Sequence, residues 1–187
     1  MGSILDNLDC FISVDIEAAG PIPSQYALLS IGACSLSKPR QTFYAELIPD
    51  KEQVDPRSME IHGLDLLKLA QEGLPPEDAV HRLTDWLKAV VPPGLPPIMV
   101  GFNAPFDWMF INDYFIRYLG SNPFGHSAVD IKSVYLGASG KSWAETSGYN
   151  LHKLYDSGNQ LSHNALDDAI SQAVIFEGIL KEFFFLK

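Results

Sequence analysis

Cysteine and positive charge are both scarce in this chain. Only two of its 187 residues are cysteine, and 13 lysines and arginines stand against 23 aspartates and glutamates. Cys10 and Cys34 are too few for a disulfide framework or a zinc cluster. Both lie in apolar stretches and are expected to be small buried hydrophobes. No apolar run approaches the roughly 20 residues that span a bilayer, so no membrane partner is expected. Residues 1–9 have neither the basic start nor the long apolar segment of a signal peptide, which makes the cytoplasm the default location. The net charge of −10 argues against gripping long duplex DNA, a mode that needs many cations on phosphates.

What is present is the balance of a globular domain, 47% apolar and 19% charged, with no repeats or low-complexity tracts. The length suits one domain spanning 1–187, with its core at about 10–184. Residues 10–16 (CFISVDI) read as a buried strand, followed by a Pro-rich loop at 20–25. Residues 26–36 and 42–48 read as two more strands, and three strands on short links suggest an antiparallel meander. Residues 49–73 read as mostly irregular. A helix is signalled from Pro76 by Ala79, Val80, Leu83, Trp86, Leu87 and Val90, with a stop at Pro92-Pro93-Gly94. Then come a short strand at 98–102, an apolar helix at 104–119, a fifth strand at 128–131 and a short helix at 150–155. A last helix is expected over 164–184, with Ala165, Ala169, Ala173 and Leu180 facing the sheet. Strands in a row followed by alternating helix and strand imply an α/β fold, a mixed sheet with helices packed on it.

Several acids sit where an apolar environment would penalise them. Asp15 and Glu17 are two apart at the end of a buried strand, so both carboxylates share one face of the sheet. Two like charges beside a core call for a cation, and a hard divalent ion such as Mg²⁺ or Mn²⁺ prefers oxygen ligands. Alternatively the strand has ended there and both acids are solvated. Asp107 opens the apolar helix, where an acid also simply suits the helix dipole. His163 precedes the last helix. Helical spacing pairs it with Asp167, but His163 belongs to the preceding loop, and Asp168 adjoins the Ala165/Ala169 stripe. Asp168 is therefore the preferred partner.

In order and context these pieces form a pattern. The segments 14–20 (VDIEAAG), 101–107 (GFNAPFD) and 163–169 (HNALDDA), with 61–64 (IHGL) between the first two, resemble the DEDDh branch of the DnaQ-like 3′→5′ exonucleases. The sister branch places tyrosine four residues before its last aspartate, and none of the seven tyrosines here has aspartate at that distance. The resemblance runs from residue 10 to about 180. Two positions depart from it: Ala18 stands where the family often has threonine, and Phe102 where it often has histidine. Both leave the choice of substrate open.

The resemblance implies a ribonuclease H-like α/β fold, with a central mixed five-stranded sheet, its first three strands antiparallel, flanked by helices. It implies hydrolysis at the 3′ ends of single-stranded or short nucleic acid, DNA or RNA, releasing nucleoside 5′-monophosphates. Two Mg²⁺ or Mn²⁺ ions would supply the chemistry. Asp15, Glu17 and Asp168 would hold the first, and Asp15 with Asp107 the second. His163 would be the general base, since imidazole suits proton transfer around neutral pH. Ala18, Ala19, Ile61, His62 and Phe106 would lie beside the terminal nucleotide. A catalytically idle module of the same fold and a phosphoesterase for small nucleotides are the alternatives, and a homodimer is one arrangement the sequence allows.

Overall fold

All eight residues of Leu28–Ser35 are buried, a pattern that fits a strand covered on both faces. In the computed structural model, which describes residues 8–156 and 163–185, this segment is strand β2 of a five-stranded sheet. Its partners are β1 (Phe11–Ala18), β3 (Thr42–Glu46), β4 (Ile98–Gly101) and β5 (Ala128–Asp130), in the order β3-β2-β1-β4-β5. β1 pairs antiparallel with β2, and β2 with β3, whereas β1–β4 and β4–β5 are parallel. The expected mixed sheet, antiparallel over its first three strands, is the one observed.

The period of two in β1 sends its side chains into two different cores. Ile12, Val14 and Ile16 pack with Val80, Leu83 and Leu87 of α3 (Pro76–Val90) and with Phe110, Ile111 and Phe115 of α4 (Pro105–Leu119). Phe11, on the other face, packs with Cys34, Val100 and the Ala173, Phe176 and Ile179 stripe of α7 (Ala165–Leu180). Ala165, Ala169 and Ala173 are fully buried, and this small-residue stripe lets the helix lie close on the sheet. At the closest point a Cβ built on Gly32 would lie 2.1 Å from the Ala165 carbonyl group. Cys10 and Cys34 are buried free thiols.

The structure corrects the sequence reading in four places. The span 49–73, expected to be mostly irregular, contains α1 (Pro56–His62) and α2 (Leu66–Glu72). Each is started by an aspartate: Asp55 accepts from the Arg57 N–H, and Asp65 from those of Leu67 and Lys68. A helix α5 (Ile131–Ser139) follows β5 directly, capped by Asp130. Beyond it lie a 3₁₀ turn (Trp143–Thr146) and α6 (Gly148–Tyr155). The last α-helix stops at Leu180 and runs into a π-helical turn, Lys181–Phe185. Finally, β1 continues two residues past Ile16, which brings Glu17 into the sheet. Among the described residues no helix is long and apolar enough to cross a membrane.

The close approach at Gly32 predicts that Gly32→Ala forces α7 off the sheet. Overpacking of this kind costs about 1–3 kcal/mol, readable as a lower midpoint in urea unfolding; an unchanged midpoint would contradict the tight contact.

Candidate active site

β1 and α7 bring three carboxylates together. Asp15 and Glu17 lie on the α7 side of β1, opposite Gly32 and Ser30 of β2. Asp168 projects from the first turn of α7 and is buried, whereas Asp167 beside it is exposed. Oxygens of Asp15, Glu17 and Asp168 all lie within 4.8 Å of one another. The helix start is fixed by Asn164, whose side chain accepts from the backbone N–H groups of Leu166 at 3.0 Å and Asp167 at 3.3 Å.

Asp107 is held by a gap in the sheet. β4 pairs with β1 only as far as Ser13, so the Ile16 N–H beyond that point has no strand partner on that side. Asp107 Oδ1 accepts it at 3.1 Å. The residue is only 4% exposed, so it does far more than complement a helix dipole. It is not one of the three acids within 4.8 Å, yet its charge acts on both Asp15 and Glu17. The whole cluster lies at the carboxyl ends of the parallel strands β1, β4 and β5, where open α/β sheets form their crevices.

Burial pushes the Asp15 carboxyl well above the usual range, and Asp107, Glu17 and Asp168 push it further. Glu17 is pushed up to about 8 by burial and by Asp168 and Asp107. Asp107 also rises to about 8, through burial and the charge of Asp130, although hydrogen bonds from its own N–H and that of Ile16 oppose the shift. Among the described residues, no lysine or arginine forms a salt bridge with Asp15, Glu17 or Asp107. An all-oxygen donor set that resists ionisation for want of a counter-charge fits a hard divalent cation.

Among the described residues, two other than glycine take left-handed backbone, Asn103 (φ 62°) and His163 (φ 52°). Each comes just before the helix that carries an acid of the site, and strained backbone of this kind clusters at functional positions. His163 is exposed, and its imidazole is near enough to His62 to disfavour a second positive charge there.

The exonuclease family model RNase_T matches residues 12–176. The chain belongs to this exonuclease family. It is 46% identical over 173 residues to the 3′-5′ DNA exonuclease Cap18 of Escherichia coli, covering 92% of each chain. Its fold is that of the nuclease domain of 3′hExo, a DEDDh family member solved with rAMP (TM-score 0.74, 14% identity, 95% and 94% of the two chains). It is equally that of S. pombe Pop2p in its Mg²⁺- and Mn²⁺-bound form (TM-score 0.67, 17% identity, 97% and 86%).

The residues expected beside the terminal nucleotide differ in exposure. Ile61 is 57% exposed. Phe106 is half-buried, its ring tilted against Phe110 at 5.4 Å. His62 Nδ1 accepts from the Leu64 N–H at 3.1 Å, so the ring closes a turn and carries its proton on Nε2. That nitrogen is enclosed beside the Ala18 carbonyl, outside hydrogen-bonding geometry. The Ala18 and Ala19 methyls are both buried. The Ala19 N–H donates to the Ala27 carbonyl at 2.9 Å, and the Ala19 carbonyl accepts from the Asp55 N–H at 2.7 Å.

One residue of the site was missed in the sequence. Gln172, buried on α7, accepts from the Phe102 N–H at 2.9 Å and donates to Asp15. It ties the end of β4 to the central carboxylate. A polar side chain one turn after Asp168 on an otherwise apolar stripe is the signal that could have found it.

Because Glu17 and Asp107 bind protons more tightly folded than unfolded, their contribution to the stability of metal-free protein is greatest below about pH 4 to 5, where both states are protonated. Stability then falls as the pH rises through the folded-state values near 8. Thermal unfolding in chelator is expected to show a midpoint declining from pH 5 to 8, with Mn²⁺ restoring more at the higher pH. Identical profiles with and without Mn²⁺ would contradict this.

Proposed function

We propose that the protein is a divalent-cation-dependent 3′→5′ exonuclease, acting on single-stranded or short 3′ ends with DNA as its preferred substrate. The observation that carries this reading is the meeting of Asp15, Glu17 and Asp168 within 4.8 Å, with Asp107 close enough to raise the affinity of Asp15 and Glu17 for protons. The DNA preference is supported by the 46% identical relative, a DNA exonuclease matched over 92% of both chains.

Bound Mg²⁺ or Mn²⁺, two ions per site, would supply Lewis acidity and neutralise charge building up on the phosphate. Asp15, Glu17 and Asp168 would hold one ion, with Asp15 and Asp107 sharing the second. Gln172 keeps the Asp15 carboxylate in one orientation through its hydrogen bond. His163 would take the proton of the attacking water as it adds to phosphorus. The bond from phosphorus to the 3′ oxygen would then break, the departing oxygen taking a proton from solvent, to leave a 3′-hydroxyl on the shortened strand and a nucleoside 5′-monophosphate as product. Ile61 and Phe106, both accessible, would flank the terminal base and sugar. A non-cutting module would gain nothing from retaining desolvated acids that destabilise it.

The test is digestion of 5′-labelled single- and double-stranded DNA and RNA oligomers, alongside small phosphoesters. A descending ladder on single-stranded DNA that needs Mg²⁺ or Mn²⁺ and stops with chelator is expected. His163→Ala should lose on the order of 10²–10⁴-fold in rate; activity within threefold of wild type would refute its role. Cleavage of small phosphoesters alone would overturn the exonuclease reading. Gln172→Met, which keeps volume and loses both hydrogen bonds, should weaken Mn²⁺ binding roughly 10–100-fold, as supporting residues around metal ligands do. Unchanged affinity would remove Gln172 from the site.

A further inference from the structure

Much of the positive charge in this acidic chain is already engaged. Lys38 and Arg40 pair with Glu177, and Lys51 and Arg117 with Asp50. Among the described residues Lys132, Lys141 and Lys153 take part in no ion pair within 4.0 Å, and they come from neighbouring parts of the fold: α5, the turn after it and α6. Glu145, the acid among them, is committed to capping, accepting from Ser142 N–H at 3.0 Å and its hydroxyl at 2.8 Å. An open cavity of about 410 Å³ lies between Tyr135, Lys141, Glu145, Asn150, Lys153 and Leu154.

Exposed rings accompany these lysines. Trp143 is 56% exposed and Tyr149 76%. Lys132 Nζ sits 4.1 Å from the centre of the Trp143 indole and 6.0 Å from that of Phe102. A Cβ on Gly148 would lie 3.6 Å from the same Phe102 ring. The Phe102 N–H is bound by Gln172, which also holds Asp15. The patch therefore adjoins the wall of the carboxylate cluster without sharing a residue with it.

We propose that this surface is the track for the single strand upstream of the 3′-terminal nucleotide. It rests on the exonuclease reading and deepens it. Trp143 stacks on an unpaired base while Lys132, Lys141 and Lys153 neutralise phosphates. In a protein of net charge −10, cations outside any described carboxylate pair and exposed aromatic rings coincide here, with Lys132 over one face of the indole; such a combination binds single strands. A paired base offers no free face to the indole, so duplex is excluded from the track.

Binding is measured by anisotropy of a 5′-fluorescein dT15 in chelator, so that no cleavage occurs, across a range of salt. Wild type, Trp143→Ala, Trp143→Phe and the triple Lys132→Ala, Lys141→Ala, Lys153→Ala variant are compared, each checked for an unchanged thermal midpoint. Trp143→Ala is expected to bind on the order of tenfold more weakly, and Trp143→Phe within threefold of wild type. Loss of three phosphate contacts should flatten the slope of log affinity against log salt by about 2. Wild type that fails to bind at low salt, or variants that bind as wild type does, would overturn the track; the latter is also the outcome if the patch serves a protein partner. Cleavage of the dinucleotide dTdT by wild type is followed separately in Mg²⁺. Its absence together with that of any 15-mer ladder would remove the exonuclease reading, whatever the binding data say of the track.

Discussion

Like charges held out of water set the terms for this molecule. Asp15, Glu17 and Asp168 share a space less than 5 Å across by their ligand atoms, and Asp107 adds its field from the neighbouring helix. Left alone, such groups keep their protons; the upward shifts of Glu17 and Asp107 to about 8 express that cost. The arrangement becomes favourable once a small, hard cation replaces those protons. A site that is poor without its ion and good with it is also selective, because a softer or larger ion gains less from four carboxylates.

The sheet makes that concentration of charge possible. β1 is flanked by antiparallel β2 and by parallel β4, and β4 stops three residues into the shared register. The resulting notch leaves Ile16 N–H for Asp107 to accept. Across the other face, Gly32 and the alanines of α7 let Asp168 come down onto β1. Gln172, a turn later on the same helix, stitches β4 to Asp15. Packing of two apolar cores on opposite faces thus fixes the relative position of acids that lie 153 residues apart between the first and the last in the chain.

Much of this was legible in the sequence because it depends on strong periodicities. Alternation in β1 put Asp15 and Glu17 on one face, and the small-residue stripe of α7 pointed to Asp168 over Asp167; Asp168 is buried and Asp167 exposed. What escaped notice has weak local signals. α1 buries no residue and α2 only Leu69, so neither carries an apolar stripe, and their capping aspartates read as ordinary loop acids. The backbone bonds of Ala19 to Ala27 and Asp55 likewise join segments that no local signal in the sequence connects. Gln172 reads as an interruption of a core helix until its two partners, more than 60 residues away in the chain, are known.

The cluster sits in a protein of net charge −10, so electrostatics at long range work against a nucleic-acid substrate and local features must overcome them. A cation held at the centre would reverse the sign where the phosphate would sit, and its binding is the most direct test. Titration calorimetry with Mn²⁺ near pH 7, in two buffers of different ionisation enthalpy, reads both affinity and protons released. Binding to wild type with net release of protons, a release that fades above pH 8, and loss of binding in Asp15→Asn are expected. Mn²⁺ binding with no release at pH 7, or affinity unaffected by Asp15→Asn, would contradict a cation held by desolvated, protonated carboxyls.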